Sequence, residues 1–257
     1  MAKDVNDATS TRNCVTFRGI RPNIFVSIYR MCYPHTAKPF LQPRTIMKND
    51  PTSIIDSQKE GAYKNFVETV TTNTLEEAHR FFQKAKKKLL DINHWHVYSG
   101  VPTTFQLTNQ MGNEINRIPE KGDYFKIDIP GPGSKAGEGY DWVHVEKITQ
   151  KDDATGQTEY VALNVHPASH PAKKEEGIAH FLSDKASSSF IVKRDGTKIS
   201  AEIYGRNEQP NLDAPSLFDK ARNALVAGGA IMGMADIQWD SLARGLLSEN
   251  KEIPSRA

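Results

Sequence analysis

Histidines are the residues here best suited to metal or proton chemistry. Five of the eight invite such a reading: His94 and His96 flank Trp95, His144 sits in an alternating run, and His166 and His170 border a proline-bounded loop. Zinc requires three or four ligands converging at about 2.0–2.3 Å. No HExxH or similar framework joins these residues, and Cys14 and Cys32 lie far away in the chain. The expected metal and cofactor complement is therefore none. A second grouping is Trp142, His144 and Glu146, which share one face of an extended segment. A His–Glu pair two residues apart on a strand can pass a proton, whereas on an outer face it is a solvated edge.

A third grouping is the polar run 205–211 (GRNEQPN). Arg206 and Glu208 suit a ligand carboxylate or a catalytic pair. They equally suit an ion pair and Asn-based turns that tie a strand to the helix after it. Ser187-Ser188-Ser189 has no G-x-S-x-G setting, so a serine nucleophile lacks support. The glycine-rich stretch 130–139 offers backbone N–H groups to a phosphate. It leads into a strand and not a helix, so it reads as a long connection of a length suited to a lid.

Elements must position these groups. Phe66, Val67 and Val70 mark a strand, and Thr74 with Glu77 forms a capping box that opens a helix. Leu75, Ala78, Phe81, Phe82, Ala85 and Leu89 recur at helical spacing. Lys84 and 86–88 fall in its last turns, where cations suit the helix dipole. Five or six alternating runs follow between residues 103 and 204, including 123–129, 142–148, 160–166, 190–194 and 198–204. Asp195-Gly196 between the last two is the strongest hairpin signal. Such alternation predicts antiparallel strands with one dry face. A small-residue-rich helical stretch closes the chain over 215–247, with Asp213 as cap and Pro215 in its first turn. The glycines at 228, 229 and 233 suggest close approach to the sheet or a kink near Gly233, with a second helix starting at Asp236.

The totals bound the class. The 257 residues are 38% hydrophobic and 25% charged, with a net charge of +2. That suits a globular protein and gives no general attraction to nucleic acid. No stretch reaches the ~20 apolar residues of a membrane span. The opening MAKDVNDATSTRN lacks the apolar core of a secretory leader. A cytoplasmic protein with two free thiols is expected.

The order strand, helices, six strands, long C-terminal helix resembles the helix-grip fold of the START and Bet v 1-like superfamily (SRPBCC). The segment TTNTLEEAHRFFQKAKKKLLDINHWHVYSG is similar to its first-strand exit and helical pair. Separately, GDYFKIDIPGPG, GYDWVHVE and YGRNEQPN resemble motifs of a bacterial protein group with no assigned activity. The superfamily resemblance implies a cavity for a hydrophobic or amphipathic small molecule. Its plant members carry a glycine-rich loop later in the strand series than 130–139, so no role transfers to that loop.

The expected fold is α+β, a curved antiparallel sheet of about six or seven strands gripping a long C-terminal helix. Residues 1–61 form an irregular N-terminal extension, 62–250 the helix-grip-like domain and 251–257 a tail. Phe125, Ile127, Val143, Val145, Leu163, Tyr204, Arg206, Leu225 and Met232 are the expected ligand-binding residues. The partner would be a hydrophobic small molecule, with no nucleic acid. Two other functions fit the same fold. One is a cyclase- or hydrolase-like enzyme using His96, Tyr124, Tyr204 and Arg206. The other is an assembly protein with a filled core.

Overall fold

The structure is a computed structural model that describes residues 14–15, 31–32, 50–131, 133–213 and 230–249, with 14–15, 31–32 and 230–235 described as backbone alone. The chain divides into a unit of residues 1–46 and a unit of residues 47–257. In the first unit, β1 (Cys14–Val15) pairs antiparallel with β2 (Met31–Cys32), and the register sets Cys14 opposite Cys32. The two cysteines that the sequence separates are thus cross-strand neighbours.

The second unit begins with a short 3-10 turn, Pro51–Ile54, and then follows the expected order. Strand β3 (Ala62–Thr71) leads to helices α1 (Leu75–Leu90) and α2 (Trp95–Ser99). Six strands come next: β4 (Thr104–Thr108), β5 (Tyr124–Asp128), β6 (Asp141–Lys151), β7 (Thr158–Pro167), β8 (Ser187–Asp195) and β9 (Lys198–Glu208). Helix α3 (Ala230–Leu246) ends the described chain. The sheet order is β3-β9-β8-β7-β6-β5-β4, with every pairing antiparallel. The sheet is curved and does not close, so β3 and β4 are its edges.

Local chemistry accounts for these elements. The Thr74 side chain accepts from the Glu77 N–H at 3.1 Å, and the Glu77 carboxylate accepts in return from the Thr74 N–H at 3.2 Å. Ala78, Phe82, Ala85 and Leu89 then bury one stripe of α1. Along the strands, Val161, Leu163 and Val165 of β7, Phe190 and Val192 of β8, and Ile199, Ala201 and Ile203 of β9 face the helices. Each such large side chain contributes roughly 1.5–3 kcal/mol by leaving water. The described part of α3 runs unbroken through Gly233 and Asp236, so no second helix starts there. Residues 214–229, which hold the first half of the expected closing helix, lie outside the described residues.

One polar cluster pins α1 to the sheet. Glu159 and Arg194 are both fully buried, with Arg194 Nε donating to Glu159 at 2.5 Å. His79 of α1 sits 2.8 Å from the same carboxylate, and the guanidinium also donates to the Asp153 and Gly156 carbonyls. Every charge is met by a partner, which is the condition under which ionised groups are tolerated inside a protein.

Candidate functional site

Beneath α3, on the helix-bearing face of the sheet, lies a cavity of about 50 Å³. Phe125 and Ile127 of β5, Val143 of β6, Val165 of β7 and Phe190 of β8 form its floor. Trp239 and Gln238 of α3 form the roof, and the 180–182 segment closes one side. At the remaining end stand Lys64 of β3 and Glu208 of β9. The volume admits about one or two water-sized groups.

Aromatic packing keeps the cavity small. Trp95 is fully buried, with Phe190 at 4.8 Å, Phe105 at 5.4 Å and Phe125 at 5.7 Å between ring centroids. Trp239 meets Phe190 edge-on at 5.2 Å. The Trp95 indole donates to the Leu89 carbonyl at 3.1 Å, so it belongs to the core and not to a ligand face. This burial also explains why 94–96 is not extended: His94 ends a 3-10 turn and Trp95 opens α2.

Of the expected site residues, Phe125, Ile127 and Val143 are brought together on the cavity wall. Val145 and Leu163 are buried in the same core, outside the lining. Tyr204 and Arg206 lie on the opposite face of the sheet. There Tyr204 packs against the cluster of Ile54, Ala162 and Ile191, and its hydroxyl donates to Glu202 at 2.7 Å. The Arg206 guanidinium donates to the Lys64 and Gly205 carbonyls and sits 5.2 Å from the Tyr204 ring centre. Leu225 lies outside the described residues, and Met232 falls in α3 where the backbone alone is described.

The other chemical groupings find ordinary partners. His144 meets Glu146 at 2.8 Å on the outer face, where the Tyr124 ring lies tilted beside it at 4.7 Å. His94 pairs with Asp91 at 2.7 Å, and His166 with Asp56 at 3.0 Å. The His96 Nδ1 is buried without a hydrogen-bond partner. Among the described residues, no three His, Cys, Asp or Glu side chains converge as a metal site. None of the helices there is long and apolar enough to cross a membrane.

Lys64, Val165, Phe190, Gln238 and Trp239 are wall residues that the sequence reading did not assign to a site. Lys64 escaped notice because an edge-strand lysine ordinarily faces water. Glu208 was singled out, but as a companion of Arg206. A break in register turns it to the other face: β3 and β9 pair Ala62 with Glu208 but Lys64 with Gly205. The available signal was Gly205 and Asn207 near the strand end, residues that mark bulges.

Strand order and helix placement define the class: an α+β helix-grip architecture, with an open antiparallel sheet under a C-terminal helix. No protein-family model matches the chain. No curated protein matches its sequence either. Similar solved structures include Bet v 1-like proteins. Ara h 8.0201 shares 12% identity, with 72% of this chain and 99% of that chain covered and a TM-score of 0.29. Protein Ms6760 from Mycobacterium smegmatis shares 10% identity, with coverage of 77% and 99% and a TM-score of 0.36. Ginseng major latex-like protein 151 from Panax ginseng shares 10% identity, with coverage of 73% and 97% and a TM-score of 0.28. The fold class rests on this chain's own topology and not on these distant likenesses.

Proposed function

We propose that this protein binds a small amphipathic molecule between the sheet and the C-terminal helix. One observation carries the reading: an apolar, aromatic-walled cavity ends in two partly buried charged side chains, Lys64 and Glu208. Binding sites typically combine an apolar wall with a few convergent polar groups that fix orientation. The volume limits the fully enclosed part of the ligand to about two heavy atoms. A longer ligand would need the Trp239 ring to swing aside.

Saturation-transfer NMR with short aliphatic probes tests the proposal. Transfer is expected for the wild type and is expected to be lost from Val143→Phe, whose ring occupies the cavity. No transfer to the wild type would overturn it.

A second reading has its own support. The Trp95, Phe105, Phe125, Phe190 and Trp239 rings take up most of the space under α3, as in a protein whose core is purely structural. On that reading the molecule acts through its surface, and Val143→Phe leaves its activity in the host intact. An enzyme would need polar groups converging on the cavity from several elements. The candidates there are Lys64, Glu208 and His180.

A further inference from the structure

Glu208 is placed in the cavity by a deliberate local device. Simple alternation along β9 would leave it on the outer face with Tyr204 and Arg206. Instead Asn207 adopts a positive φ of 54°, rare for a non-glycine residue, and the register shifts. Residues 57–60 hold that conformation. The Asn207 side chain accepts from the Lys59 N–H at 2.7 Å and donates to the Ser57 carbonyl at 3.1 Å, while its own N–H donates to Gln58 at 3.0 Å. Gly205 completes the arrangement. A Cβ there would lie 2.1 Å from Glu208 Oε1, so the carboxylate occupies the space that any other side chain would fill. Backbone strain held by surrounding contacts is characteristic of functional sites.

The carboxylate so placed is under-compensated. Its side chain is 8% exposed, and Lys64 Nζ stands 3.8 Å away, beyond hydrogen-bond reach. Among the described residues no hydrogen bond reaches it. Lys64 donates instead to Asp236 of α3. Among the described residues, Lys64 is the cation within ion-pair distance of both carboxylates, Glu208 and Asp236. Arg206 is engaged on the outer face, and His180 accepts the Leu182 N–H through Nδ1, which requires that nitrogen to be unprotonated. Phe190 and Trp239 add ring faces, which attract cations.

We infer that the cavity takes a protonated primary amine with a short apolar tail, its ammonium paired to Glu208 and its tail on Phe125, Val143 and Val165. This rests on the binding reading above and names its ligand class. Burial raises the Glu208 carboxyl above its ordinary range and Asp236 adds to the rise, while Lys64 and Arg206 oppose it. An incoming ammonium supplies the counter-charge that the site lacks.

Three probes with the same three-carbon skeleton separate the possibilities: propylamine, 1-propanol and propionate, read by saturation-transfer NMR and chemical-shift titration. Four heavy atoms support at best binding between about 0.1 and 10 mM. Propylamine is expected to bind about tenfold tighter than propanol, with propionate weakest. Glu208→Gln should bring propylamine down to the propanol level and leave propanol unchanged. Lys64→Met should tighten propylamine severalfold, a gain that structural damage cannot mimic. Equal binding of amine and alcohol to the wild type overturns the amine assignment while leaving the cavity as a site. An amine preference that survives in Glu208→Gln, or that weakens in Lys64→Met, also overturns it. Failure of all three probes to bind the wild type defeats the binding proposal itself.

Discussion

Glu208 and Glu159 are both buried carboxylates of the same sheet, and their surroundings push them in opposite directions. At Glu159 burial raises the carboxyl, but hydrogen bonds from His79, Arg194 and the Asp153 N–H more than offset it, and the net shift is downward. At Glu208 burial dominates and the net shift is upward. A carboxyl raised in the folded state stabilises fully below its unfolded value, near 4.5, and that contribution is lost as pH rises through the folded value. Glu208→Gln is therefore expected to be more stable than the wild type at pH 7 and equal to it at pH 4. The expected gain is a higher Tm for the variant at pH 7 that vanishes at pH 4. Thermal denaturation by circular dichroism at the two pH values checks this, and a lower Tm for the variant at pH 7 would contradict it. A residue that weakens the fold and is still held in place by a strained bulge is the pattern expected of a binding group.

At the scale of elements, α3 must sit close to α2 for the cavity to have a roof. Gly245 permits that approach, because a Cβ there would lie 2.0 Å from the Tyr98 carbonyl oxygen. Gly245→Ala is expected to cost about 1–3 kcal/mol through the forced separation of the two helices. It should also weaken propanol and propylamine equally, since the roof moves and the charge does not. Chemical denaturation and the same titrations check it, and an unchanged unfolding midpoint would refute it.

The glycines at 228, 229 and 233 suggest close approach to the sheet, whereas Gly245, the one set against α2, carries no such signal in the sequence. Composition drew attention to the glycine-rich centre, whereas the contact depends on where α2 ends, which no local pattern shows. The α1 cap and the β8–β9 turn were legible because each is written in two to four adjacent residues. Phe125, Ile127 and Val143 were legible for a similar reason: strict alternation sends them to one face. Lys64 and Glu208 were not, because one inserted residue at Asn207 reverses the face of all that follows, and burial of Lys64 depends on a helix 172 residues away in sequence.

For the whole molecule, pH sums these separate sites. Glu159 on the helix side and Glu202 on the outer side are both lowered. At Glu202 burial again opposes, and hydrogen bonds from Lys193, Tyr204 and Ser200 prevail. Groups of this kind stabilise above the unfolded carboxyl value near 4.5, and their contribution is lost as pH falls through the folded value. The wild type should therefore lose stability steeply below about pH 4.5, even as Glu208 ceases to destabilise it. Glu159→Gln isolates one site: it leaves Arg194 buried without its counter-charge, at a cost on the order of 3–5 kcal/mol at pH 7. That deficit should shrink as pH falls below 4.5, because the unfolded wild-type carboxyl takes up a proton there while the folded one does so only at its lowered value. A deficit that stays constant from pH 7 to pH 3 would mean that the cluster holds α1 by shape and not by charge. The contrast with Glu208 would then have to be redrawn, since it is the full set of hydrogen bonds to Glu159 and Glu202 that sets apart a carboxylate whose ion-pair partner is Lys64 at 3.8 Å.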